Sequence, residues 1–279
     1  MGIDVRALLE RAGRVPSKAL GQNFVTDPNT CERIVRIAGI ESDSAVVEIG
    51  AGLGSLTYAL AQSGASVLAV EIDRYLAPLL REVVEPFPNV SVICADALTL
   101  DWGEVLEKER TYQLVANLPY NVSVPLLMEL FENVPQIVGG VVMVQKEVGE
   151  RLAAKPNSEH YGAVSVRAAY FATLSIAGNV SANVFHPRPR VDSVLVRFVR
   201  HEPFVDPALL SYERLAMVIN AGFAHRRKML RRSLFGVIDD EAFVHAGVTP
   251  TQRAETVGLR EWGALAAWPQ QLIEKETTL

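Results

Sequence analysis

Two cysteines in 279 residues leave no disulfide framework, and no CxxC pair or Cys/His cluster offers the ligand spacing of a zinc site. Cys31, in an expected helix, and Cys94, in an expected strand, sit among apolar neighbours and read as buried thiols, so no metal is expected. Long hydrophobic runs are missing too. The longest, Ile137 to Val144, falls far short of the roughly 20 residues that span a bilayer, and Asp4, Arg6 and Glu10 interrupt any apolar stretch at the N-terminus. Neither a membrane span nor a signal peptide is expected, which makes the cytoplasm the default location. Aromatic residues are sparse at 7% and charged ones unbiased at 21%, while 49% of the chain is hydrophobic. That balance excludes long disordered tracts and supplies a full core.

The net charge of −5 conceals a segregation. Residues 185 to 232 hold ten Arg/Lys against four Asp/Glu, a local +6, so the other residues carry −11. A basic block in an acidic chain points to an anionic partner met by one face, with nucleic acid the leading candidate. Arg226, Arg227, Lys228, Arg231 and Arg232 form its densest part, with no acid between Glu213 and Asp239. A helix over 226–235 would set Arg227 and Arg231 on one face, with Lys228 and Arg232 beside them.

Residues 44 to 199 alternate short apolar, β-branched runs with helical spacing, the pattern of an α/β fold with a mainly parallel sheet. Strands are expected at 45–49, 67–71, 90–94, 112–116 and 138–144, with 173–180 and 194–199 as a closing antiparallel pair. Asp27-Pro28 reads as an N-cap followed by a first-turn proline, opening a helix to about Ala38. After His201 only helical patterns remain. The expected division is a catalytic domain over 1–200 and a small all-α domain over 201–279, joined near Pro203 and Pro207.

The first strand runs into Glu48-Ile49-Gly50-Ala51-Gly52-Leu53-Gly54 and then a helix. Glycines at alternate positions allow a sharp turn and bring backbone amides against a ligand, so a nucleotide-type cofactor is expected. Ser55 stands where a dinucleotide fingerprint needs glycine or alanine, which disfavours an NAD-dependent oxidoreductase. Glu48 suits a cofactor with a cationic amino-acid tail. Glu71 ends the second strand at the spacing of a ribose-binding acid, and Asp96-Ala97 ends the third, within reach of an adenine amine.

The fourth strand ends in Asn117-Leu118-Pro119-Tyr120. Proline holds Leu118 extended, so its carbonyl is free to point outward beside the Asn117 side chain, and two acceptors then face one amine. Tyr120 adds a flat face on which a base can stack.

This tetrapeptide resembles the NLPY motif of adenine-N6 methyltransferases, and Glu48 to Gly54 resembles their S-adenosylmethionine loop. The chain is most similar to bacterial dimethyladenosine transferases of small-subunit ribosomal RNA, the KsgA/RsmA family. Gln22-Asn23-Phe24, Gln145-Lys146-Glu147 with Arg151, and Tyr161-Gly162 match its motifs. So do Phe185 to Ser193, Phe223 to Lys228, and Arg253-Ala254-Glu255. Val25, His225 and Arg232 depart from the usual leucine, glutamine and asparagine.

The resemblance implies a Rossmann-like S-adenosylmethionine-dependent methyltransferase fold with a small C-terminal all-α domain. Asn23 and Val25 would close over the cofactor, Gly50 and Gly52 approach its methionine part, Glu71 hold the ribose, and Asp96 with Ala97 take the adenine. Asn117 and the Leu118 carbonyl would hold the target N6, with Tyr120 and Phe185 sandwiching the base. The implied reaction is dimethylation of two adjacent adenosines near the 3′ end of 16S rRNA, in immature 30S subunits, by a monomer. Two other readings are a large-subunit rRNA methyltransferase conferring antibiotic resistance and an assembly factor acting mainly by binding.

Overall fold

The computed structural model describes residues 3–17, 19–202, 210–225 and 227–268. The chain divides into two compact units, one of residues 1–153 with 172–201 and one of 154–171 with 202–279. The single boundary expected at residue 200 is therefore corrected. Residues 154–171 belong with the helical unit because their aromatic side chains find partners there. The linker expected at Pro203 and Pro207 lies outside the described residues.

The first unit opens with α1 (Val5–Arg11), β1 (Phe24–Val25) and α2 (Pro28–Ala38). Strands and helices then alternate through β2 (Ala45–Ile49), α3 (Ser55–Gln62), β3 (Ser66–Glu71), α4 (Ala77–Val84), β4 (Val90–Cys94), α5 (Trp102–Val105) and β5 (Tyr112–Asn117). The alternation continues through α6 (Ser123–Asn133), β6 (Ile137–Gln145) and α7 (Lys146–Leu152). After α8 (Ala163–Phe171), which lies in the other unit, the chain returns as β7 (Ala172–Val180), β8 (Phe185–His186) and β9 (Ser193–Arg200).

Seven strands form one sheet in the order β4-β3-β2-β5-β6-β9-β7. The first five pair in parallel, while β9 runs antiparallel to both β6 and β7, as expected of a closing pair. All five residues of β2 are buried, as a central strand covered on both faces requires. Val46, Val67, Val115 and Met143 pack against Ile34 and Cys31 of α2 and Leu60 of α3. Cys94 is exposed, against expectation, because it ends the edge strand β4, which has a neighbour on one side only.

Strand order reverses between β2 and β5, and open α/β sheets bind ligands outside the strand C-termini at such a point. The Glu48–Gly54 loop and the Asn117–Tyr120 turn are thereby set side by side. β1 pairs antiparallel with β8, with Val25 opposite Phe185.

The second unit contains α8, α9 (Tyr212–Phe223), α10 (Leu230–Ser233), α11 (Asp240–Ala246) and α12 (Leu259–Ala267). Trp262 is its fully buried centre, seated against Gly222, where a Cβ would meet the indole at 2.3 Å. Tyr170 of α8 stacks on Tyr212 of α9 at 5.5 Å, and the Tyr161 hydroxyl donates to the Val257 carbonyl at 2.7 Å. The helix expected over 226–235 is present only as α10. The Leu230 and Arg231 amides donate to the carbonyls of Gln252 and Pro250, so the helix starts at Leu230 rather than four residues earlier.

Asp27 caps α2 as expected: its carboxylate accepts from the Asn29 and Thr30 amides and from the Thr30 hydroxyl. Asp27→Ala is expected to lower stability by about 1 kcal/mol. A shift of the urea midpoint at unchanged slope is the check.

Candidate active site

The loop after β2 turns through Gly50, Gly52 and Gly54, at φ of +73°, +59° and +88°, where side chains are strained. A Cβ at Gly52 would also strike the Phe24 ring at 2.9 Å. The loop is held from behind by β3. The Gly50 amide donates to the Val70 carbonyl at 2.8 Å, and the Gly52 amide donates to Glu71 Oε2 at 2.6 Å. Glu71 Oε1 accepts from the Asp73 amide at 2.8 Å, so this acid is a structural tie of the loop as well as a cleft wall.

In front of the loop lies a cleft open to solvent. Its walls include Asn23, Val25, Glu48, Gly50, Gly52, Glu71, Asn117, Leu118 and Tyr120, the residues expected at a cofactor and target site. Asp96 and Ala97 instead line an adjoining cavity of about 580 Å³, with Ile72, Leu98, Val122 and Leu126. The two cavities share Leu20, Gly50, Ile72 and Pro119. Together they suit a two-part ligand, its charged end by Glu48 and Glu71 and a flat, amine-bearing end by Asp96.

Sequence reading missed Ile72 and Leu98, which are 46% and 38% exposed. The signal was available: each is a large apolar residue one or two positions beyond a strand-end acid. It also missed the brace formed by Gln22, whose amide donates to Asp73 Oδ2 at 2.9 Å and accepts from the Ser17 amide at 2.7 Å.

Asn117 Nδ2 donates to the Asn23 carbonyl at 3.0 Å. The amide group is thus oriented, and its oxygen remains to accept. Among the described residues, neither Asn117 Oδ1 nor the Leu118 carbonyl accepts a hydrogen bond. Both oxygens are left unengaged, and both residues line the cleft. Tyr120 is half-buried, with its hydroxyl 2.8 Å from Ser193 Oγ.

Phe185 is placed apart from the other expected site residues. It is buried at 4% in the core with Val25, Cys31 and Leu195 and lines neither cavity, because pairing of β8 with β1 turns it inward. In this arrangement it supports β1 from behind rather than offering a stacking face. Of the basic cluster, Arg227 and Lys228 lie in a turn and Arg231 and Arg232 on α10, all four exposed, so the expected common helical face is absent. Arg226 lies outside the described residues.

A family model described as ribosomal RNA adenine dimethylase matches residues 16–271. The chain belongs to this family. Among curated relatives, the ribosomal RNA small subunit methyltransferase A of Leifsonia xyli subsp. xyli is 48% identical, over 95% of this chain and 96% of its own. Among solved structures, a dimethyladenosine transferase from Plasmodium falciparum matches with a TM-score of 0.73 at 23% identity, over 87% of this chain and 95% of its own. The 23S rRNA methyltransferase ErmE follows at 0.68 and 26%, over 87% and 98%. The chain is accordingly an enzyme with a Rossmann-like methyltransferase fold.

Glu48 is 1% exposed, and its Oε2 has no hydrogen-bond partner among the described residues. Burial pushes its pKa up to about 8; the Thr57 hydroxyl offsets this in part, and the Glu71 carboxylate adds to it. The folded chain therefore holds a proton that the unfolded chain releases above its ordinary carboxylate range. Glu48 thus makes stability fall as pH rises from about 4.5 to about 8. Glu48→Gln should flatten this part of the profile, and melting temperatures across that pH range test it.

Proposed function

We propose that the chain uses S-adenosylmethionine to dimethylate N6 of two adjacent adenosines near the 3′ end of small-subunit rRNA, acting as a cytoplasmic monomer on immature 30S subunits. The observation that carries this reading is the Asn117–Asn23 hydrogen bond, which leaves the Asn117 oxygen and the Leu118 carbonyl as a pair of acceptors on the cleft. The small-subunit target is favoured over a large-subunit one because the small-subunit relative is 48% identical and the 23S enzyme 26%.

The residues present fit the cofactor. The unpartnered Glu48 oxygen becomes a counter-charge when its ammonium group favours loss of the proton that burial retains there, the glycine turn admits its methionine part, and Glu71 keeps lone pairs for the ribose hydroxyls. The apolar cavity ending in Asp96 accepts an adenine ring. S-adenosylmethionine supplies an electrophilic methyl on a sulfonium.

An adenine N6 is a weak nucleophile because its lone pair is delocalised into the ring. Accepting both N–H groups at Asn117 Oδ1 and the Leu118 carbonyl favours a pyramidal nitrogen with its lone pair directed away from them. Tyr120 stacks on the base once it has left its RNA stack, which costs a few kcal/mol and favours loop adenines. No strong base is required, since the N–H proton becomes acidic only after the new C–N bond forms. Orientation of the reactants is the main catalytic device and can contribute about 7 to 11 kcal/mol.

Asn117→Ala is expected to retain S-adenosylmethionine binding by calorimetry while losing most methyl transfer to immature small subunits, with NAD giving no heat in either protein. Transfer at the wild-type rate, or binding of NAD alone, overturns the assignment. Cells carrying this variant, compared with cells lacking the protein, separate methylation from a binding role in assembly.

Arg227, Lys228, Arg231 and Arg232 have no ion pair among the described residues, and with Arg226 they support a phosphate-binding role for the helical domain. Phosphate contacts position the RNA without reading its sequence. Neutralising Arg227 and Lys228 should lower the salt slope of binding by roughly 0.7 to 0.9 per lost contact and leave cofactor affinity unchanged. An unaltered slope in the double variant refutes it.

A further inference from the structure

We propose that Ser193 is a positioning residue: its hydroxyl pins the Tyr120 ring in the plane on which the target base stacks, and so governs the second methyl transfer. The inference rests on the proposed stacking role of Tyr120.

Because β9 runs antiparallel, its first residue arrives at the edge of the sheet where the parallel strands end. Ser193 stands there between Gln145 of β6 and Val180 of β7. Its backbone is fixed from both sides. The Asp192 carbonyl accepts from the Lys146 amide at 3.0 Å, and Asp192 Oδ1 accepts from the Ala182 amide at 2.9 Å. The Ser193 side chain is 0% exposed, and its Oγ lies 2.8 Å from the Tyr120 hydroxyl.

This contact ties the far end of the ring to the sheet, while the near end belongs to the same turn as Asn117. A phenol held at both ends cannot swing about its Cα–Cβ bond. The hydrogen bond also occupies the hydroxyl, and burial raises the phenol above its usual range against the opposing pull of Ser193. Tyr120 is therefore a neutral stacking surface and not a proton acceptor for the reaction.

The second transfer makes the stricter demand on that surface. N6-methyladenine has one N–H left, so the base must settle with this hydrogen on an acceptor and its methyl turned away. A ring free to tilt would admit the methylated base in planes that miss the Asn117 and Leu118 oxygens. The first transfer, with two N–H groups to offer, tolerates more tilt.

The test is single-turnover transfer by the full chain with S-adenosylmethionine, on target RNA carrying adenine or N6-methyladenine. The proteins compared are the wild type, Ser193→Ala, Tyr120→Phe, their double variant and Ser193→Thr, with melting temperatures measured alongside. Both single variants should slow the second transfer by about three- to tenfold, as loss of one hydrogen bond allows, and monomethyl product should accumulate. The double variant should be no slower than either single one, because all three lack the same bond. Ser193→Thr keeps the hydroxyl and should restore the product ratio.

A wild-type product ratio in Tyr120→Phe, or losses that multiply in the double variant, would overturn the proposal. Tyr120→Phe leaves Ser193 and its packing in place, so the test stands if Ser193→Ala does not fold. Tyr120→Ala serves as the control on the underlying reading: if it leaves both transfers unchanged, the stacking assignment itself is wrong.

Discussion

The hydrogen bond from Asn117 to the Asn23 carbonyl decides which end of one amide group faces the cleft. In the proposed reaction, an amide held the other way would present a donor to an amine that needs acceptors. The Asn23 carbonyl in turn depends on β1, which is held by two residue pairs with β8 and packed over the Phe185 ring. From β8 the chain runs to Asp192 and Ser193, and from Ser193 a side-chain contact leads back to Tyr120. The turn of 117–120 is thus secured at both ends by segments remote in sequence but linked to each other. Small shifts anywhere in this ring would move the Asn117 and Leu118 oxygens relative to the Tyr120 ring.

Charge sets a second constraint. Glu48 and Glu71 are both buried at the head of the glycine loop, and burial raises the pKa of each; the Gly52 and Asp73 amides counter the rise at Glu71. A fold retains such groups at a cost in stability when the site needs negative charge. Glu71 is stabilised by two backbone donors, whereas Glu48 Oε2 has none. The two carboxylates are therefore unequal: one holds the loop in shape, and the other keeps an unengaged oxygen, the one proposed to meet the ammonium group.

Much of this was legible in the sequence because the signals were local. Asp27-Pro28 marked the start of α2, and of the strand-end acids Glu71 lies on the cleft while Asp96 lies on the adjoining cavity, since caps and strand periodicity act over a few residues. What escaped depends on distant partners. The helix expected at 226–235 shrank to α10 because carbonyls of Gln252 and Pro250 take its first amides. Phe185 was read as a stacking residue, and only its pairing with Val25 across 160 positions of chain shows that it faces the core. Cys94 looked buried until the strand order made β4 an edge. Lys146–Leu152 was not anticipated as a helix because Gly149 interrupts it, yet that glycine is required: a Cβ there would meet Val194 at 2.2 Å.

The chain leaves the sheet at residue 154 and returns at 172, and this ordering matters during synthesis. Emerging from N- to C-terminus, the sheet receives its last strand by residue 200 and is complete without anything that follows. The intervening segment is not. Tyr170 and Phe171 find their aromatic partner in Tyr212, at 5.5 and 4.7 Å, which is made later than every strand of the sheet. For that interval the nascent chain carries a finished sheet and an unsatisfied apolar helix. A truncation at the end of β9 would make this transient state permanent, so the natural point for dissecting the protein is not the boundary that its linear sequence proposes.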